Sequence, residues 1–251
     1  MSFTRTQSDR IRRCERPRRR HVAVMFADLD HFTRLCFEEP PERAFRLVRD
    51  FQRIVADSVW CCGGRLNAYS GDGAMAIFGD RSRRIDCATR ALRCARTILE
   101  QIVQLDREQI ESGERSVSIS IGLQYGQILC GTISSSRWFG PTVIGDVVNV
   151  ANGLEQRAQA LGTSLVVGDD LMRKARREAG SDASELTRFV RIGPITVRGR
   201  DAPVNVWTRP AFPRQAASPA HAQPALPMAA AERHRIAVRP WHSAHVCLAG
   251  E

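Results

Sequence analysis

Lysine is almost missing from these 251 residues: of 37 basic side chains, Lys174 alone is not arginine. Any chemistry that needs a lysine has a single position to draw on. The eight cysteines include no CxxC pair, and the one close spacing, Cys61-Cys62, is adjacent rather than at zinc-ligand distance. This excludes a zinc ribbon and reads as core thiols in a reduced, cytoplasmic chain. The arginine-rich N-terminus lacks the apolar segment of a secretory signal. Residues 117–136 carry no charge, yet Ser, Gln, Tyr and Gly interrupt them, so they read as paired strands. No transmembrane segment is expected.

What is present is a chain 43% hydrophobic and 25% charged, enough for one sizeable core. The net charge of +10 is concentrated at the ends. Residues 1–20 hold eight arginines against Asp9 and Glu15, a net of +6, and residues 211–251 add +2. The interior is nearly neutral, whereas a nucleic-acid domain would carry its charge on the fold, so no nucleic-acid partner is expected. Residues 1–20 read as a flexible basic leader and residues 210–251, rich in Ala, Pro and His, as a disordered tail. His221, His234, His242 and His245 in that tail lack cysteine or carboxylate partners at metal-binding spacing. Residues 21–209 form the expected domain.

Within it, His21 to Ala27 is an apolar strand that stops at Asp28. Pro41 to Val59 has helical periodicity through Ala44, Phe45, Leu47, Val48, Phe51, Ile54 and Val55, and Gly63-Gly64 ends it. Residues 65–70 and 73–78 form a hairpin around Gly71-Asp72. A long helix over 83–111 follows, then strands near 116–124 and 127–133. Asp146 to Leu161 is a further helix, with an apolar stripe of Val147, Ala151, Leu154, Ala158 and Leu161. A strand at 164–167, a helix at 169–178 and strands near 187–192 and 203–207 complete the pattern. The fold class is α+β, a ferredoxin-like βαββαβ core with extra C-terminal strands and helices.

Asp28 and Asp72 each emerge at a strand end. Two carboxylates brought together there would repel unless cations lay between them, which is the electrostatic logic of a magnesium site for phosphate chemistry. On spacing alone the pair also fits a turn cap and ordinary hairpin chemistry. Longer strings decide between these readings. Val24-Met25-Phe26-Ala27-Asp28-Leu29-Asp30-His31-Phe32-Thr33, then Gly63 through Gly79 around Ser70-Gly71-Asp72-Gly73, then Thr142-Val143-Ile144-Gly145-Asp146-Val147-Val148-Asn149-Val150-Ala151 occur in order. Together with Val197-Arg198-Gly199-Arg200-Asp201-Ala202-Pro203-Val204, they resemble the catalytic domain of the class III adenylate and guanylate cyclases over about residues 21–208.

That resemblance implies attack of a ribose 3′-oxygen on the α-phosphorus of a purine nucleoside triphosphate, most simply ATP, with expulsion of pyrophosphate. It implies two divalent cations, Mg²⁺ or Mn²⁺, on Asp28, Asp72 and the Leu29 carbonyl, and phosphate cradled by the amides of His31, Phe32 and Thr33. It implies active sites between two catalytic domains, in a homodimer or a heterodimer with another cyclase subunit. The second subunit would supply Asn149 to orient the ribose, Thr142 to read the purine, and Arg198 or Arg200 near the terminal phosphates.

Two family positions differ. Ala68 stands where the family has its lysine or glutamate base selector, and Gly153 stands where it has an arginine for the α-phosphate. Losing one such electrostatic group costs about two to three powers of ten in rate. Arg157 lies one helical turn beyond Gly153, on the stripe of Asn149, and is the expected partial substitute. The expectation is a cyclase of reduced activity; the alternative is a degenerate cyclase-fold protein that binds nucleotide or pairs with a complete subunit.

Overall fold

The computed structural model describes residues 17–79, 86–134, 139–179 and 184–210. Most of the N-terminal leader, the start of the long helix at 83–85 and the tail from 211 lie outside the described residues.

The order is β1 (Arg18–Leu29), α1 (Phe32–Glu38), α2 (Pro41–Cys61), β2 (Arg65–Ser70), β3 (Gly73–Phe78), α3 (Cys87–Glu111) and β4 (Ile119–Ser134). There follow β5 (Phe139–Ile144), α4 (Asp146–Ala160), β6 (Leu165–Gly168), α5 (Asp169–Ala179), a short 3₁₀ turn (Ser184–Arg188), β7 (Val190–Ile195) and β8 (Val204–Thr208). One sheet runs β2-β3-β1-β4-β6-β8-β7, with β5 paired to β4. Each neighbouring pair among β2, β3, β1 and β4 is antiparallel, and β4 to β6 is parallel. The βαββαβ order and the split βαβ arrangement are as the pattern implies.

β1 is central because its alternate residues are buried on both faces. Ala23, Met25, Ala27 and Leu29 pack under α2 and α3, while Val22, Val24 and Phe26 face α4 through Val147 and Ala151. A third apolar cluster joins Val150, Leu154 and Ala158 of α4 to Val166, Ile195, Val197, Val204 and Val206. Helix α4 therefore lies over the junction of the ferredoxin-like core and the C-terminal strands. Among the described residues, no helix is long and apolar enough to cross a membrane.

Three expectations are corrected. β1 starts at Arg18, inside the segment read as leader, because Arg18, Arg19 and Arg20 pair through their backbones with Cys130, Leu129 and Ile128 while their side chains stay exposed. Burial patterning cannot detect such an extension. The two strands expected at 116–124 and 127–133 are one continuous β4. Tyr125 and Gly126, left between the two expected strands, pair with Ala23 and Val22 of β1, and the preceding Gln124 is a buried strand residue whose Oε1 accepts from the Tyr125 amide (3.1 Å) and whose Nε2 donates to Asp170 (3.4 Å). Phe45, counted in the apolar stripe of α2, is 73% exposed.

The lone lysine has a structural post. Lys174 pairs with Glu178 (3.5 Å), and its ammonium lies 5.9 Å from the Tyr125 ring centre. Glu178 in turn accepts from the first amides of α3, Ala88 (3.2 Å) and Thr89 (2.7 Å), and from the Thr89 hydroxyl (2.9 Å). A carboxylate from α5 thus caps α3.

Candidate active site

The sheet register assembles the site. One cross-strand row under α4 reads Ala68, Met75, Phe26, Gly122, and the next reads Ser70, Gly73, Asp28, Ser120. Asp72 occupies the turn before Gly73, and its carbonyl accepts a hydrogen bond from the Leu29 amide at 3.2 Å. The two strand-end acids are therefore neighbours. Gly73 makes room for this: a Cβ there would stand 2.6 Å from Asp28 Oδ1. Burial, then the charges of Asp72 and Asp30, push the Asp28 carboxyl up to about 7. Burial also raises Asp72.

Burial and like charge of this kind let both acids ionise together only beside a cation, so the residues present fit a divalent ion. Among the described residues no group of three or more His, Cys, Asp or Glu side chains is arranged to enclose a metal. Asp28 and Asp72 would offer two carboxylate ligands to a hard divalent cation, which takes oxygen donors.

Two further acids went unnoticed in the sequence. Asp30 is fixed by the hydroxyls of Ser118 and Ser120, both donating at 2.7 Å, and by its own amide to the Ser118 carbonyl at 2.9 Å. Glu155 is only 6% exposed on the sheet-facing side of α4. Its backbone lies against Gly122, where an added Cβ would come within 2.3 Å of the Glu155 nitrogen. Burial first, then the charges of Asp28, Asp30 and Asp72, push the Glu155 carboxyl up to about 8. Its sequence signal was its position four residues after Ala151, on the buried stripe.

The remaining candidates divide. His31 holds a left-handed conformation (φ 58°) at the start of α1, and Thr33 is exposed beside a half-buried Phe32. Thr142 pairs with Gly131, toward the opposite end of β4 from Ser120. Asn149 is exposed, and in a helix it lies about 200° around from Ala151. Arg157 is exposed on the same stripe. Asn149 and Arg157 thus face away from the sheet surface that carries Asp28, and within one chain the two groups do not meet. Arg198 is exposed, and Arg200 pairs with Asp146 (3.4 Å) at the first turn of α4.

Both departures have visible consequences. Ala68 follows a bulge at Asn67, whose amide nitrogen reaches Met75 Sδ at 3.7 Å, and its methyl offers no charge. A Cβ on Gly153 would stand 2.6 Å from Val197 Cγ1. Val197 thus packs against the bare Cα of Gly153.

The model of the adenylate and guanylate cyclase catalytic domain matches residues 14–208. The chain belongs to this family. Among relatives, an uncharacterized protein of Mycobacterium tuberculosis is 32% identical over 187 residues, 74% of this chain and 32% of that protein. An adenylate cyclase of Anabaena cylindrica is 24% identical over 191 residues, 75% of this chain and 36% of that protein. The chain thus spans about a third of the length of these curated relatives. Among solved structures, the adenylyl cyclase CyaB of P. aeruginosa superposes with a TM-score of 0.68 at 21% identity, covering 79% of this chain and 98% of the other. The guanylyl cyclase Cya2 gives 0.66 at 21% identity, covering 80% and 96%. The cyclase domain's fold is that expected from the sequence.

Proposed function

We propose that this domain is a purine nucleotide cyclase of reduced activity, converting ATP to 3′,5′-cyclic AMP and pyrophosphate at sites shared between two catalytic domains. The observation that carries the reading is the adjacency of Asp28, whose carboxylate lies against the bare Cα of Gly73, and Asp72 in the turn just before that glycine. Two divalent cations, Mg²⁺ or Mn²⁺, held by Asp28, Asp72 and the Leu29 carbonyl would acidify the ribose hydroxyl and neutralise charge on the departing pyrophosphate. With its carboxyl pushed up to about 7, Asp28 would have to give up a proton to serve as a ligand. The amides of His31, Phe32 and Thr33 support phosphate beside it.

Because Asn149 and Arg157 turn away from these acids in one chain, a second domain supplies them, from a homodimer or from another cyclase subunit. Asn149 orients the ribose, Thr142 hydrogen-bonds the purine edge, and Arg198 or Arg200 meets the terminal phosphates. Ala68 leaves the base without a charged reader, so selection between ATP and GTP is weak. Arg157, with Val197 beside Gly153, reaches the α-phosphate along the exposed flank of α4.

One observation favours a second reading, a degenerate subunit that binds nucleotide or completes a partner. Val197 occupies the place an arginine at 153 would need. Incubating the purified full chain with ATP or GTP and Mn²⁺, with chromatographic identification of product, separates the two. Cyclic nucleotide from the native chain supports the cyclase. Cyclic product only after Ala68→Lys, Gly153→Arg and Val197→Ala are combined supports the degenerate subunit.

A further inference from the structure

Position 68 carries no charge, but β2 is not a plain strand there. Arg65, Ala68 and Ser70 pair with Ile77, Met75 and Gly73, whereas Leu66 and Tyr69 pair with Ala76 and Ala74. Met75 and Ile77 belong to the apolar cluster under α4, and Gly73 pairs with Asp28. Arg65, Ala68 and Ser70 therefore lie on the sheet face that carries Asp28. The register shifts between Leu66 and Ala68, so Asn67 is an extra residue opposite Met75. Its side chain takes the same face, because Nδ2 donates to Met75 Sδ at 3.7 Å. The bulge thus sets a carboxamide beside the methyl of Ala68.

Chemistry fixes which way that amide points. Arg65 Nη1 donates to Asn67 Oδ1 at 3.0 Å, and since a guanidinium has donors only, the atom it meets is the oxygen. Among the described residues the Asn67 side chain makes these two hydrogen bonds alone, which leaves one Nδ2 hydrogen and one Oδ1 lone pair for a ligand. Asn67 is half-buried, and β2 is the outermost strand on its side of the sheet. A planar group can approach the amide without displacing a strand.

We infer, resting on the cyclase reading above, that the Asn67 carboxamide reads the purine and selects adenine. Adenine presents the N6 amino donor beside the N7 acceptor, and a carboxamide meets both at once. Guanine presents two acceptors on that edge, O6 and N7, so Oδ1 would face a lone pair. Arg65 is a positioning residue: its hydrogen bond keeps the amide oxygen and nitrogen from exchanging places. A neutral, half-exposed amide selects less sharply than a charged group in a closed pocket. Its preference falls at the low end for a bidentate base contact, about fivefold.

The test measures equilibrium binding of non-cyclisable ATP and GTP analogues to the full chain in Mn²⁺ by titration calorimetry. The expected result is a preference of about fivefold for the adenine analogue. Asn67→Ala should erase it. Asn67→Asp, whose carboxylate only accepts, should turn the preference toward the guanine analogue and its N1–H and N2 donors. Arg65→Met should lower the ratio and Arg65→Lys keep it, a split that lost stability alone does not produce. If the native chain binds both analogues and neither Asn67 substitution moves their ratio, the inference is overturned while the cyclase reading stands. Equal affinities, or a guanine preference, in the native chain overturn it as well, even where the Asn67 variants fail to fold. A native chain that binds neither analogue overturns the cyclase reading and this assignment with it.

Discussion

Replacing Glu155 by glutamine probes the buried acid that lies beside the proposed metal carboxylates. Moving a carboxyl from 4.5 to about 8 corresponds to about 5 kcal/mol, at roughly 1.4 kcal/mol for each tenfold change. The sign follows from proton binding. Below pH 4.5 the folded and unfolded chains both hold this proton. Between pH 4.5 and 8 only the folded chain keeps it, so stability falls as pH rises through that window and levels off above it. Glutamine cannot ionise and has nearly the same shape as the protonated acid. In EDTA, Glu155→Gln should melt within a degree or two of the native chain at pH 5, and higher by roughly 5–15 °C at pH 8, since each kcal/mol moves a domain of this size by about 2–4 °C. Parallel melting curves across pH 5–8 would refute a buried, proton-holding Glu155.

Three other outcomes follow from particular contacts. Gly73→Ala drives a methyl toward Asp28 Oδ1 and should weaken Mn²⁺ binding at least about tenfold, read by electron paramagnetic resonance, with a circular dichroism spectrum like the native one. Gly153→Arg alone should lower the melting temperature because of Val197, and adding Val197→Ala should recover most of that loss, a coupling that a double-mutant cycle measures. Glu178→Ala should destabilise by about 2–4 kcal/mol in urea titration, since it uncaps α3 and leaves Lys174 without its partner.

The β2–β3 hairpin was legible to the residue, because Gly71-Asp72 marks the turn and the flanking strands differ sharply in burial. The length of β4 was not, because Tyr125-Gly126 reads as a break between two strands until both are seen to pair with Ala23 and Val22 of β1. Phe45 misled for the opposite reason: apolar character at helical spacing says nothing about which side of α2 lacks a neighbour. At the site, Asp28 and Asp72 stood out as acids terminating apolar strands. Glu155 did not, since nothing local distinguishes a buried acid on α4 from a solvated one until Gly122 brings the helix backbone onto the sheet. The obstacle at Gly153 was equally invisible, because Val197 reaches it from 44 positions further along the chain.

The most direct test of the central claim is Mn²⁺ binding, followed by electron paramagnetic resonance in the presence of a non-cyclisable ATP analogue, for the native chain and for Asp28→Asn and Asp72→Asn. The account predicts saturable binding by the native chain that either substitution abolishes while the fold survives. Native-like Mn²⁺ uptake by both variants would contradict it.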